Sequence, residues 1–231
     1  MPAPFVDSTK DLINKFNITN KENIKVTVIR GPMETEAVSD LAISNLILGN
    51  TDYDAILMDV TWLPKYASTG WLEPLDIYID DKKWEDLLPG AKSGNSYDNK
   101  IYRWPLVADM GLLYWRNDLM KKPPVTTDQL VDISRKLVKE RKVKYGYIWQ
   151  GKQYEGLSCV FLELVKGFGG NWIDKNGDVQ LNNKESVQAV QWMSKLIKNN
   201  ISPKSVTNFA ENESLQVFES GNAAFMRNWP Y

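Results

Sequence analysis

The chain has 231 residues, of which 25% are charged and 43% hydrophobic, and its formal net charge is -1. This composition is typical of a globular protein with a sizeable core and excludes a disordered chain. The near-neutral charge gives no electrostatic reason to expect nucleic acid as a partner. The sequence contains no histidine, which excludes Ser-His-Asp and Cys-His catalysis and histidine-ligated metal sites.

The cysteine and aromatic residues indicate which kinds of binding site the protein can contain. The single cysteine, Cys159, excludes an intrachain disulfide and a thiolate metal cluster, and we expect it to be a small core residue. No apolar run is long enough to span a bilayer, and the first four residues lack the features of a signal peptide. The 9 Trp, 10 Tyr and 7 Phe residues often stand beside Gly, Asn or Asp, which suggests stacking surfaces as well as core.

The first half of the chain predicts a β-α-β unit. After a short helix capped by Asp7, strands over residues 24–29 and 53–58 flank a helix over 34–48. We expect the two strands to be parallel neighbours joined by a right-handed crossover. Ligands in such sheets lie beyond the carboxyl ends of the strands. The candidate residues at those ends are Arg30, Asp59 and Trp62.

The middle of the chain predicts the crossing between two halves. An amphipathic piece over residues 62–67 precedes a polar surface segment over 80–100 and a strand over 101–107. Residues 110–115 then predict a buried strand that carries a large aromatic residue, Tyr114, near its exit. We expect Tyr114 to lie at the mouth of a cleft.

The second half alternates helices with strands, with a hairpin turn at residues 176–177. Thr127 and Asn183 are predicted to cap helices. Val187 and Val190 are predicted to face the core, together with later apolar residues of the same helix. The predicted helices cover residues 128–141, 157–168, 184–198 and 211–219, and the predicted strands cover 143–149 and 223–226.

These elements predict an α/β protein of two lobes, residues 1–109 and 110–231, with a hinge crossing near 105–115. The chain stops directly after a predicted strand, with no closing element, so we expect a fragment of a longer protein.

Several stretches, taken in chain order, together resemble one known family. Residues 53–62 followed by 70–72, and residues 111–119, resemble the first-lobe signature of extracellular solute-binding proteins of sugar ABC transporters. Residues 149–157 and 218–231 are similar to the trehalose/maltose-binding branch of that family. The match covers nearly the whole chain. Family members begin with an earlier strand and continue further, so both ends here look cut.

The resemblance implies a type II periplasmic-binding-protein-like fold of two α/β lobes, of which the second is incomplete here. It implies a non-catalytic protein, without cofactor or metal, that captures a disaccharide or related glucoside such as trehalose, maltose, sucrose or glucosylglycerol. The implied partners are that sugar and the subunits of a membrane permease. The implied protein is a monomer, without nucleic-acid partners, located in the periplasm or outside the cell.

Sugar chemistry selects the candidate ligand-binding residues. Sugars present hydroxyls at the rim and weakly polar C–H groups on their faces, so a site combines charged or planar polar groups with aromatic rings. Two lobes closing over the sugar exclude competing water. The candidate polar residues are Arg30, Asp59, Gln153 and Glu155, and the candidate aromatic residues are Trp62, Tyr114, Trp149, Tyr154 and Trp229.

Simpler roles remain open for several candidates. Asp59 could also cap a helix, Glu155 could be an acidic residue favoured in the first turn of a helix, and Trp62 could be a core residue.

Two alternative functions of the whole protein also remain. One is a glycoside hydrolase that uses Asp59 and Glu155, which requires carboxyl groups about 5–9 Å apart. The other is a truncated, non-functional fragment of the binding protein.

Overall fold

The computed structural model describes residues 3–32, 35–49 and 53–230, with the side chains of residues 3, 4 and 35 excepted. The start of the second predicted helix, at Glu34, lies outside the described residues. The chain divides into two compact units, an N-terminal unit of residues 1–108 and a C-terminal unit of residues 109–231. None of the described helices is long and apolar enough to cross a membrane.

The N-terminal unit is mainly helical. Two short 3₁₀ turns, Val60–Trp62 and Asp76–Tyr78, connect its longer elements, and a small antiparallel hairpin follows. Its elements are α1 (Ala3–Thr19), α2 (Thr35–Ile47), α3 (Leu63–Ser68), α4 (Asp81–Glu85), α5 (Pro89–Asn95), β1 (Ser96–Tyr97) and β2 (Lys100–Ile101).

The two strands of the predicted β-α-β unit are wrong, whereas its helix is confirmed as α2. Residues 24–29 and 53–58 are described but form no strands. The side chain of Asn17 bonds both backbone groups of Val26, accepting from its N–H at 2.7 Å and donating to its carbonyl at 2.9 Å. Those are the groups that a neighbouring strand would have to pair. The predicted strand over 101–107 is also wrong, because only Ile101 joins a strand.

Helices α2 and α3 supply the buried core of the N-terminal unit. Val38, Leu63 and Tyr66 are buried, and the Tyr66 hydroxyl lies 3.1 Å from the Ser39 hydroxyl. Burial raises the pKa of Tyr66. Asp7 lies inside α1 instead of capping it, because the helix already begins at Ala3.

The C-terminal unit confirms the predicted alternation of helices and strands, with small changes at their ends. Its three-stranded sheet has the order β3-β5-β4, in which β5 is antiparallel to β3 and parallel to β4. Its elements are β3 (Leu112–Trp115), α6 (Thr127–Lys139), β4 (Tyr145–Ile148), α7 (Glu155–Gly167), α8 (Lys184–Lys198), α9 (Glu211–Glu219) and β5 (Ala223–Asn228).

Strand β5 is the centre of this unit, and all six of its residues are buried. Phe225 packs in a core built from α6, α7 and α8, whereas Met226 packs in a second cluster with residues of α9. Strand β3, predicted to be buried, lies at the sheet edge, and its Leu112 and Leu113 are 39% and 37% exposed.

Two predicted details of the helices are wrong. The N-cap of α6 is Thr126, whose hydroxyl accepts a hydrogen bond from the Gln129 N–H, and not Thr127. Helix α8 buries Ser186 and Ala189 in place of the predicted Val187 and Val190, which are 43% and 57% exposed.

Candidate functional site

Asp59 performs the capping role that the sequence left open. Its Oδ1 accepts hydrogen bonds from the backbone N–H and the hydroxyl of Thr61, both at 2.8 Å. Asp59 thereby caps the 3₁₀ turn Val60–Trp62. A cap does not prevent a carboxylate from accepting further hydrogen bonds, so its ligand-binding role stays a prediction.

Arg103 anchors the backbone at Asp59, and sequence reasoning missed it. Its Nη1 donates to the carbonyl of Asp59 at 2.5 Å and to that of Met58 at 3.4 Å, and its Nη2 donates to the carbonyl of Gly94. Burial lowers the pKa of Arg103, an effect opposed by the charge of Asp59. The available signal was a lone cation between two aromatic residues, Tyr102 and Trp104.

Trp62 begins an aromatic row in the N-terminal unit. Its ring is stacked on Tyr66, with centroids 6.1 Å apart, and Tyr66 meets Trp71 edge-on at 5.6 Å. Tyr66 is fully buried, whereas Trp62 is half-buried. Trp62 therefore packs on the core and still presents part of its surface to solvent.

The structure does not support the argument by which Arg30 became a candidate ligand-binding residue. It follows residues 24–29, which form no strand, so it does not lie at the carboxyl end of a sheet. Its guanidinium is 3.8 Å from the Asp7 carboxylate, and both side chains are mostly exposed. Such a surface ion pair contributes little to stability.

In the C-terminal unit, Trp229 is held through both its backbone and its ring. The Tyr114 hydroxyl, from the edge strand β3, donates to the Trp229 carbonyl at 2.7 Å. The indole N–H donates to Glu211 Oε1, in the first turn of α9, at 3.1 Å. Tyr114 thus acts here as a support for Trp229, and the ring of Trp229 remains half-buried.

Arg227, also missed by sequence reasoning, lies against one face of Trp229. Its guanidinium carbon is 3.8 Å from the centroid of the Trp229 ring. The same guanidinium bonds the Glu163 carboxylate through Nε and Nη2, and its Nη1 donates to Gln150 Oε1 at 3.2 Å. Arg227 is only 3% exposed. Burial alone lowers the pKa of Arg227, but the hydrogen bonds and charge of Glu163 outweigh burial, so the pKa lies above its ordinary value.

Three further candidate ligand-binding residues, Gln153, Tyr154 and Glu155, lie in the loop before α7 and in its first turn. Tyr154 is the N-cap residue of α7, and its ring lies over Gly156, where a Cβ would overlap the phenol. Glu155 lies in the first turn and accepts a weak hydrogen bond from the Cys159 thiol at 3.6 Å. Gln153 is exposed. Burial, followed by the charge of Glu155, raises the pKa of Cys159 to about 12.

Trp149 has a core position. It is 3% exposed, and its indole N–H donates to the Ser202 hydroxyl at 3.2 Å. Of the two aromatic residues predicted to flank a stacking loop, Tyr154 is therefore the one with exposed surface.

The structure brings Tyr114 and Trp229 into one cluster and adds three residues that were not predicted. We call this set the Trp229 cluster: Tyr114, Glu163, Glu211, Arg227 and Trp229. The cluster presents an aromatic ring fixed in orientation, with a carboxylate at its edge, which suits a ligand that has apolar faces and hydroxyl donors. Among the described residues, no group of three or more acids or thiols is arranged to hold a metal ion.

Comparisons with known proteins agree on one protein family. The family model described as bacterial extracellular solute-binding protein matches residues 3–231. A probable ABC transporter-binding protein of Deinococcus radiodurans is 36% identical over 216 residues, covering 89% of this chain and 51% of that protein. The maltotriose-binding protein of Pyrococcus abyssi is 27% identical over 172 residues, covering 74% of this chain and 36% of that protein.

A solved structure extends the similarity to the fold. Maltose-bound MalE3 of T. maritima matches with a TM-score of 0.89 and 34% identity, over 98% of this chain and 58% of that chain. The chain spans about half the length of the first of these relatives and little more than a third of the second.

Proposed function

This chain belongs to the bacterial extracellular solute-binding protein family, and on that premise we propose that it is the substrate-binding component of a sugar ABC transporter. The predicted fold class, the α/β type II periplasmic-binding-protein fold, is confirmed. The proposed activity is non-catalytic: the protein captures a sugar in the periplasm or outside the cell and delivers it to a membrane permease.

The fixed ring of Trp229 is the observation that carries this proposal. A sugar stacks its C–H face on an aromatic ring, and a ring already held in place loses little conformational entropy on binding. Glu211, bonded to the indole N–H at 3.1 Å, places a charged acceptor beside the ring for sugar hydroxyls.

Other predicted residues remain proposed sugar contacts, each within its own unit. Tyr154 and Glu155 supply a second ring and a second acid in the C-terminal unit, and Asp59 and Trp62 supply the same pair of groups in the N-terminal unit. Gln153, exposed in the loop before α7, is a proposed hydroxyl partner. The positions of Trp149 and Arg30 favour their structural interpretations.

The proposed substrate class is an α-linked disaccharide or a related glucoside. The support comes from two relatives: one is named a maltotriose-binding protein, and the other is described as maltose-bound. The sequence resemblance to the trehalose/maltose-binding branch points the same way.

Calorimetric titration with maltose, trehalose, sucrose and glucosylglycerol tests the proposal. We expect at least one of these sugars to bind reversibly, and Trp229→Ala to weaken its binding by about 10- to 30-fold through loss of the stacking ring. Trp104→Ala is the matched control, since Trp104 is also partly exposed but belongs to the N-terminal unit and pairs with Trp84. We expect this control to bind the sugar normally.

Two outcomes would contradict the proposal. A folded protein that binds none of the four sugars removes the assignment of substrate class, and an unchanged affinity in Trp229→Ala removes the role of the ring. Incubation with the same disaccharides, followed by assay for released monosaccharide, tests the non-catalytic character. Turnover that disappears in Asp59→Asn or Glu155→Gln would favour the glycoside hydrolase instead.

A further inference from the structure

We propose that the ion pair between buried Arg227 and partly exposed Glu163 is a positioning device that fixes the plane of the Trp229 ring in its sugar-binding orientation. This inference rests on the proposed function. Arg227 is only 3% exposed, and its guanidinium is already engaged by protein groups on its edges and on one face, so it acts through Trp229 and not by touching a sugar.

The geometry of the guanidinium explains how one residue can set the plane of another. Nε and Nη2 engage the Glu163 carboxylate along one edge, and Nη1 donates to Gln150 Oε1 along a second edge. Because a guanidinium is planar, partners on two of its edges determine its plane. The guanidinium carbon lies 3.8 Å from the centroid of the Trp229 ring, so the fixed guanidinium limits how the indole can turn.

Neighbouring elements hold the pair itself in place. Arg227 lies in the central strand β5, opposite Leu113 of β3, and its carbonyl accepts a hydrogen bond from Gln150 Nε2 at 3.0 Å. Just before β3 the chain passes directly over the pair at Gly111, where an added Cβ would overlap both the Glu163 carboxylate and the Arg227 guanidinium. The absence of a side chain at Gly111 is therefore required by the pair beneath it.

A fixed ring has a measurable consequence for affinity. Without the pair, only the hydrogen bond from the indole N–H to Glu211 would hold the Trp229 ring, so the ring would have to be ordered further when the sugar binds. We expect this to weaken binding by about three- to tenfold. Lysine at position 227 keeps the charge but has neither the planar face nor the paired donors, so Arg227→Lys isolates the geometric contribution.

The deciding measurement follows the Trp229 ring directly. In protein labelled with 5-fluorotryptophan, the ¹⁹F resonance of Trp229 is assigned as the one missing from Trp229→Phe. We expect Arg227→Lys to shift and broaden this resonance, and Glu163→Gln to do so more weakly. Because the Glu163 side chain is 42% exposed, its substitution tests the pair even where changing buried Arg227 impairs folding.

Arg116→Lys is the matched control. Arg116 pairs with Asp118 through two hydrogen bonds of 2.7 and 2.6 Å and belongs to the same unit, but within the described part of the chain it has no aromatic ring among its partners. Arg116 also donates to the Gly221 carbonyl at 3.1 Å, which lies outside the Trp229 cluster, so we expect this variant to leave the Trp229 resonance unchanged. An unchanged Trp229 resonance in both Arg227→Lys and Glu163→Gln would overturn the inference.

Titration with maltose then connects the ring to binding. We expect Arg227→Lys to weaken maltose affinity by about three- to tenfold, mainly through faster dissociation, and Arg116→Lys to have no effect. A mobile ring with unchanged maltose affinity would overturn the positioning role. If the unsubstituted protein does not bind maltose, the same titration is made with trehalose, sucrose and glucosylglycerol. Failure with all four sugars counts against the proposed function, whereas the fluorine measurement still decides whether the pair orients Trp229.

Discussion

The N-terminal and C-terminal units differ in whether a segment with a strand-like sequence forms a strand. Residues 24–29, Ile-Lys-Val-Thr-Val-Ile, are rich in β-branched side chains, yet they form no strand. Residues 223–228, Ala-Ala-Phe-Met-Arg-Asn, have weaker intrinsic strand preference, yet they form the central strand β5. Strand formation here depends on available partners more than on the sequence of the segment itself.

The partners of the two segments explain the difference. Strand β5 pairs with β3 on one side and β4 on the other, and every one of its side chains is buried. In residues 24–29, Ile24 and Ile29 are 52% and 50% exposed, and the backbone groups of Val26 bond the Asn17 side chain. Of these two segments, only β5 combines burial of its side chains with pairing of its backbone.

Hydrogen exchange should reveal the largest contrast. We expect the amides of β5 to exchange about a thousandfold more slowly than those of residues 24–29, after correction for intrinsic exchange rates. The reason is that the amides of β5 become accessible only when most of the C-terminal unit unfolds. Exchange of the intact chain, resolved by peptide mass spectrometry, measures both segments at once. Similar protection in the two segments would mean that residues 24–29 are paired in solution.

Core truncation should give the next largest contrast. Phe225→Ala removes a fully buried ring from the centre of the C-terminal unit, and we expect it to lower the free energy of unfolding of that unit by about 3–5 kcal/mol. Ile24→Ala, at a half-exposed position, should change stability by less than about 0.5 kcal/mol. Urea unfolding of both variants measures these differences, and a comparable loss in Ile24→Ala would place that residue in a core.

The sequence predicted the fold of the C-terminal unit well because its signals are local and agree with its packing. Asn183 caps α8, and Gly177 adopts the positive φ of a turn, as their residue types suggest. On α8, Met193 and Leu196 are buried as predicted, whereas Ala189 is buried in place of the more hydrophobic Val190. Hydrophobicity alone does not carry information about how closely two helices approach.

The candidate site was harder to predict, for a related reason. Trp229 was chosen from a resemblance, whereas Arg227 was overlooked because it lies within a buried strand. A buried arginine is stable only when distant residues satisfy it, and here Glu163 is 64 positions away in the sequence. No local pattern contains that pairing. Arg103 was missed for the same reason, since its contact with the Asp59 carbonyl spans 44 positions.

Helix caps offer a smaller contrast between the units. Asn183→Ala removes the capping hydrogen bond that the side-chain Oδ1 of Asn183 accepts from the Ser186 N–H at 2.7 Å, and we expect a loss of about 1 kcal/mol. Asp7→Ala removes only an interior helical residue with a weak ion pair, so stability should change by less than about 0.5 kcal/mol. Thermal unfolding of the two variants makes the comparison, which fails if Asp7→Ala is the more damaging change.

Alkaline pH should produce the smallest effect, at Cys159 in the C-terminal unit. Burial and the nearby Glu155 charge raise the pKa of its thiol from an ordinary value of 9.0 to about 12, so the folded protein favours the neutral thiol. The stabilisation is complete below pH 9 and is lost as pH rises from 9 towards 12, because the unfolded chain releases this proton first.

Comparison with Cys159→Ala isolates this contribution, since the other groups that titrate at high pH are common to both proteins. We expect the difference in unfolding free energy between the two proteins to change in favour of Cys159→Ala as pH rises from 8 to 11. Alkylation by iodoacetamide at pH 8 provides a second measure, and the folded thiol should react more slowly than the thiol in urea because little thiolate is present. If the difference in unfolding free energy between the two proteins is independent of pH and the folded protein is alkylated fast, the prediction is contradicted. The thiol would then have an ordinary pKa, and the region around α7 would be open to solvent.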